Sequence, residues 1–156
     1  MSKRFGFEYE LHQAGWATAR IRHSDSFVEM PVSYLHDSLR ELATATFTIS
    51  RGAKSSRVVF MDEPGEHHLT LTREEDAMCR YSIDWFNDHH SWGLRIIPGG
   101  EHICAGNVSV RRLVQQVYSE LYRLHEVFGV AGYKERWVAH EFPHTEMQRL
   151  IGVSNK

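Results

Sequence analysis

The chain has 156 residues, of which 42% are hydrophobic, 12% aromatic and 24% charged, and its formal net charge is −2. That balance excludes a disordered chain and a global basic surface for nucleic acid or an anionic membrane. With no apolar run near the roughly 18 residues that span a bilayer, it predicts one globular domain over residues 1–156, soluble and cytoplasmic.

The N-terminus sets Lys3 and Arg4 close to Glu8 and Glu10, without the apolar core of a signal peptide. Phe5, Phe7, Tyr9 and Leu11 then alternate with polar residues, the period-two pattern of a half-buried strand. After a turn at Gln13 to Gly15, Ala17, Ala19 and Ile21 repeat the pattern, and the two strands should pair as a hairpin. Val28, Met30 and Val32 give a third strand.

From Ser33 to Gly52 the period changes. Leu35, Leu39, Leu42, Thr46 and Ile49 recur at gaps of three or four, the buried stripe of a helix, with Ser33 as its N-cap and Gly52 as its left-handed exit. Val58 to Met61, the turn Glu63-Pro64-Gly65-Glu66, and Leu69 with Leu71 read as a second hairpin, whose Pro-Gly centre suits a type II turn. Cys79, Tyr81, Ile83 and Trp85 alternate as a further strand. Asn87 to His90 is a polar loop, Leu94 to Ile97 a short strand, Pro98 to Gly100 a turn, and His102 to Val108 an edge strand of small residues. A second long helix follows from Ser109 to Phe128, with Val110, Val114, Val117, Leu121, Leu124 and Phe128 on its buried face and Gly129 as its stop. A short amphipathic segment, Tyr133 to Ala139, and a last helix with Met147, Leu150 and Ile151 complete the chain. The order predicts an α+β fold: one antiparallel sheet of six to eight strands with two long amphipathic helices on one face.

Eleven histidines are the compositional oddity. A metal site is conceivable from Glu63 or Glu66, His67 or His68, and Asp84, Asp88 or His89, if the two hairpin ends adjoin. His67, His68, Asp88 and His89 are its candidate ligands. Adjacent histidines on a strand point to opposite faces, so at most one of each pair can reach a common ion. The chain lacks His-x-His, Cys-x-x-Cys, a nucleophile elbow and the phosphate-cradling glycine patterns, and no cofactor and no catalytic residue is read from it. Cys79 and Cys104 read as buried thiols. Arg111, Arg112, Gln115, Arg123, Lys134 and Arg136 interleave with Glu120, Glu126 and Glu135, which reads as a solvated mixed-charge face and disfavours nucleic acid.

Gly15-Trp16-Ala17, Ser33-Tyr34-Leu35, Glu63-Pro64-Gly65-Glu66, Gly132-Tyr133 with Trp137, and Phe142-Pro143 together resemble a set of small uncharacterised bacterial proteins without assigned activity. The resemblance implies a bacterial cytoplasmic protein and brings no site residue with it. Three functional expectations remain. The first is a non-enzymatic protein-binding protein, in its most concrete form an immunity protein that neutralises a toxin, with acidic turns and peripheral aromatics as contacts: Glu63, Glu66, Asp84, Asp88 and Trp92. The second is a metal-binding module or metal-dependent hydrolase built on the histidine-rich loops. The third is a homo-oligomeric structural protein whose exposed sheet edge pairs across a two-fold axis.

Overall fold

A computed structural model describes residues 4–87 and 100–154. Asp88, His89, His90, Trp92 and the strand expected at Leu94 to Ile97 lie outside the described residues. The elements run β1 (Gly6–Leu11), β2 (Trp16–His23), β3 (Ser26–Ser33), α1 (Ser38–Ser50), β4 (Ser55–Met61), β5 (Glu66–Glu74), β6 (Met78–Phe86), β7 (Glu101–Ser109), α2 (Val110–Trp137) and α3 (His144–Ser154). The α+β class and the antiparallel pairing are as the patterns predict. The strands, however, form two sheets, β1-β2-β3 and β4-β5-β6-β7, where the sequence suggests one.

The division has a local cause. The free edge of β4 is occupied by the first turns of α1: Glu41 accepts a hydrogen bond from the Val59 N–H at 2.6 Å, and the Ser38 hydroxyl donates to the Val59 carbonyl at 2.6 Å. These side chains take the backbone groups that β3 would need in order to continue the sheet.

Period-two burial holds in each strand. Phe7, Tyr9 and Leu11 face Ile21, Ala19 and Ala17 across the β1–β2 ladder, and all six are buried. Val58, Phe60, Leu69, Leu71, Cys79, Tyr81 and Ile83 form the inner face of the second sheet. Phe5 and Tyr81, with ring centroids 5.1 Å apart, join the two sheets inside one core.

The first helix is shorter than its stripe suggests. Ser33 is the last residue of β3, fully buried, and donates its hydroxyl to Glu63. Four residues then connect to a helix that begins at Ser38, so Leu35, expected in the stripe, is 38% exposed. Leu39, Leu42, Thr46 and Ile49 are buried as expected. The second hairpin turn also differs: the Glu63–Pro64 bond is cis, and Asp62 N–H donates to the Gly65 carbonyl. Pro64 thus takes the third place of the turn, as in type VI and not type II geometry.

In α2, Ser109 is the N-cap, its hydroxyl accepting from the Arg112 N–H. Gly129, at φ 68° and ψ 175°, breaks the helix where a stop is expected, and a second helical piece continues to Trp137. Among the described residues there are three helices, α3 packing on both α1 and α2. No described helix is long and apolar enough to cross a membrane.

Candidate functional site

The candidate metal residues separate by face. His67 turns inward, its ring 4.7 Å from that of Trp85, and burial lowers its pKa to about 4, with the neighbouring His68 adding to the effect. His68 lies on the opposite face of the sheet, where it is itself buried, stacks on Phe86 at 4.4 Å and bonds through Nε2 to the Glu66 carboxylate. Glu66 is fully buried, so it offers no surface to a partner. Asp84 stands beside His68 across the β5–β6 ladder and bonds His102 at 3.1 Å. Glu66, His68, Asp84 and His102 therefore share one face of the second sheet, whereas Glu63 is spent on Ser33. Among the described residues no three His, Cys, Asp or Glu side chains are grouped to hold a metal ion.

Neither cysteine is in a disulfide. Burial pushes the Cys79 thiol up to about 11 and raises Cys104 as well, which disfavours the reactive thiolate.

A different place draws the sequence landmarks together. The Gly15 N–H donates to the Arg136 carbonyl and the Tyr34 N–H to the Gly15 carbonyl, at 2.9 and 2.8 Å. Gly15 sits at φ +80°, and a Cβ there would lie 2.6 Å from the Tyr34 ring, so the turn needs glycine twice over. His140 Nε2 donates to the Tyr34 carbonyl at 3.0 Å. Ser33 ties this strand end to the Glu63 turn, and Phe142 packs on Tyr133 with centroids 5.3 Å apart. The five short motifs, spread from residue 15 to residue 143, thus build one corner around the N-terminus of α1, the C-terminus of α2 and the start of α3.

The inside of that corner is polar. Arg40 bridges Asp37 and Glu146 at 2.9 and 3.0 Å, and His140 lies 3.8 Å from Asp37. Tyr9, Tyr133 and Trp137 are fully buried beside them. The hydroxyls of Tyr9 and Tyr133, the indole nitrogen of Trp137 and the second oxygens of Asp37 and Glu146 find no hydrogen-bond partner among the described residues. Burial raises the pKa of both tyrosines; the Asp37 charge adds to it in each, and in Tyr9 the neighbouring Tyr133 does too. Next to this network His36 bonds Glu41 at 3.0 Å; that bond is the main reason the His36 pKa is raised. Burial opposes ionisation of Glu41 most strongly, yet the bonds from His36 and the Val59 N–H hold its pKa below the ordinary value.

The outside of the corner is apolar. Tyr34, Leu35 and Val138 are 37%, 38% and 51% exposed. Val138 has φ 79° and ψ −59°, and the Ala139 N–H closes on the Trp137 carbonyl at 3.0 Å, which makes this the rarer, strained form of γ-turn. A β-branched residue at positive φ is costly, on the order of 1–3 kcal/mol, and persists only where the surroundings impose it.

No protein-family model, curated protein or solved structure matches this chain. The corner was hidden from periodicity for a simple reason. Its polar members, Asp37, Arg40, His140 and Glu146, sit at element ends, where no repeat marks them. The signal that exists is the clustering of Gly, Trp, Tyr and Pro landmarks at those same ends.

Proposed function

We propose that this chain is a bacterial cytoplasmic protein that acts by binding another protein through the corner of Tyr34, Leu35 and Val138. The carrying observation is the exposed valine held in a strained γ-turn beside two further exposed apolar side chains. Such a turn is what a rigid anchor needs: the side chain is already fixed in the conformation that a pocket would receive, so less ordering remains to be done on binding. The frame beneath is fixed by the Arg40 bridge and by Gly15. The exposed carboxylate of Glu141, three residues after Val138, gives these anchors a polar neighbour, as at an interface rim. An immunity role, in which the chain holds a toxin inactive, is the most concrete form of this reading.

The test is co-expression with neighbouring gene products, followed by native mass spectrometry. A stoichiometric complex is expected, and Tyr34→Ala with Leu35→Ala should weaken it at least 10-fold, because well-packed anchors are each worth about 1–2 kcal/mol or more. Recovery of the chain without a protein partner, or a complex indifferent to the double substitution, overturns the reading.

The second reading, a metal-binding module, has one observation in its favour: Glu66, His68, Asp84 and His102 lie on a common sheet face. Titration of untagged protein with Zn²⁺, Mn²⁺ or Ni²⁺ decides it. A rise in melting temperature that His68→Gln removes supports metal binding, and an unchanged melting curve disposes of it.

A further inference from the structure

Seven buried side-chain nitrogen and oxygen atoms have no hydrogen-bond partner among the described residues, and five of them belong to the polar corner. They are the hydroxyls of Tyr9 and Tyr133, the indole nitrogen of Trp137, Asp37 Oδ1 and Glu146 Oε2. Folded chains leave few buried polar atoms unpaired, so five in one place need a common explanation.

The five are fixed by contacts made through other atoms. Arg40 donates through Nε to Asp37 Oδ2 at 2.9 Å and through Nη1 to Glu146 Oε1 at 3.0 Å, so each carboxylate is anchored by one oxygen and presents the other. Tyr133 and Trp137 stand four residues apart in the second piece of α2, which puts them on one face. Tyr9 reaches the same interior from β1, where its own N–H is held by Glu120. The Asp37 charge acts on both tyrosines and Tyr133 acts on Tyr9, which sets these three groups within reach of one another.

The chemistry of the set decides its occupant. The indole N–H can only donate, the carboxylate oxygens paired with Arg40 can only accept, and a tyrosine hydroxyl can do either. Whatever joins them must therefore accept at one side and donate at the other. A metal cation has no lone pair for the indole, and no three His, Cys, Asp or Glu side chains among the described residues are grouped to hold one. An anion would face two carboxylates against one guanidinium. Water both gives and accepts, and the full burial of Tyr9, Tyr133 and Trp137 favours the smallest such molecule. Five bonds exceed the roughly four that one water makes, whereas two waters bonded to each other would make about three or four each, the usual range for buried water.

We infer that this corner is a hydration site, holding at least two long-lived waters that link Tyr9, Tyr133 and Trp137 to the second oxygens of Asp37 and Glu146. The waters join β1, α1, α2 and α3 at one point. The inference concerns the inside of the corner and does not depend on what binds Tyr34, Leu35 and Val138 outside it.

The experiment is NMR on the full chain. Overhauser transfer from water is read at the Trp137 indole N–H, and oxygen-17 relaxation dispersion counts the slowly exchanging waters. Transfer with the sign of a long-lived water is expected at Trp137, and Tyr9→Phe with Tyr133→Phe should lower the count by at least one, since it removes two of the five bonding groups while keeping both rings. Should the double variant not fold, the transfer at Trp137 in the native chain decides alone. No transfer there overturns the inference, and so does a count that the folded double variant leaves unchanged. A small molecule retained stoichiometrically in a native mass spectrum overturns it as well.

Discussion

β1 and β7 are both edge strands, and α2 is attached to both, yet α2 side chains bond the backbone of one edge from Phe5 to Tyr9, while no hydrogen bond among the described residues reaches the outer backbone of the other. The difference lies in geometry. Four residues of helix advance about 6.0 Å, and two residues of strand about 6.6–6.8 Å. A helix laid alongside a strand can therefore meet every second backbone position with every fourth side chain. Arg112, Gln116 and Glu120 do this for Phe5, Phe7 and Tyr9, and Arg123 adds a second bond to Tyr9. β7 runs straight into α2 at Ser109 and Val110, so the helix leaves the strand at its end and cannot lie beside it. A strand followed at once by its helix is left open, whereas one that is distant in sequence can be covered.

The largest effect should come from lifting α2 away. Leu121 is fully buried on the apolar face of α2, and Leu121→Ala is expected to cost about 2–5 kcal/mol in denaturant unfolding. One cooperative transition is expected, because both sheets share one core. Two separate transitions would show that the sealed sheet and the open sheet are independent. Next, Glu120→Ala leaves the Tyr9 N–H without its acceptor and Arg123 with the Tyr9 carbonyl alone, at an expected cost of about 1–3 kcal/mol. Asn107→Ala, on the exposed part of β7, should stay within about 0.5 kcal/mol. Equal costs at the two positions would break the contrast between the edges.

The seal on β4 can be tuned by pH. Glu41 has a lowered folded pKa, so its contribution is present above its unfolded value of 4.5 and is lost as pH falls through the folded one. His36 has a raised folded pKa, so its contribution is full below 6.5 and is lost as pH rises through the folded value. The difference in unfolding free energy between the native chain and Glu41→Gln should therefore be greatest between about pH 4.5 and 6.5. A flat difference across that range would show that the His36–Glu41 contact is not coupled to folding. A small effect is also expected at Arg20→Ala on sheet β1-β2-β3 in the same unfolding measurement, because its ion pairs to Glu10 and Glu29 are exposed to solvent and screened.

Much of the fold was legible because apolar residues repeat with a period. The alternation of Phe7, Tyr9 and Leu11, and the stripe through Val114, Leu121 and Leu124, have the strand and the helix that they specify. What escaped was whatever polar residues do. Arg112, Gln116, Glu120 and Arg123 have the look of a solvated helix face, because a side chain that bonds a distant backbone is of the same type as one that bonds water. Ser38 and Glu41 escaped likewise, and with them the reason for two sheets. Ser33 has N-cap chemistry but spends its hydroxyl on Glu63, 30 residues away. Of the candidate site, the opposite facing of His67 and His68 was legible from strand period alone. The Arg40 bridge was not, since its second carboxylate, Glu146, lies 106 positions from Arg40.

The seal on β1 has a consequence in time. Its hydrogen bonds join residues 107 to 114 positions apart. At roughly 5–20 residues per second, a ribosome makes α2 on the order of ten seconds after β1. For that interval the first hairpin is a sheet edge without its cover, in the crowded space where other nascent chains emerge. The step that ends this exposure is the docking of a helix made more than 100 residues later, so slow translation across residues 112–123 prolongs the window for mispairing more than a pause within β1 itself.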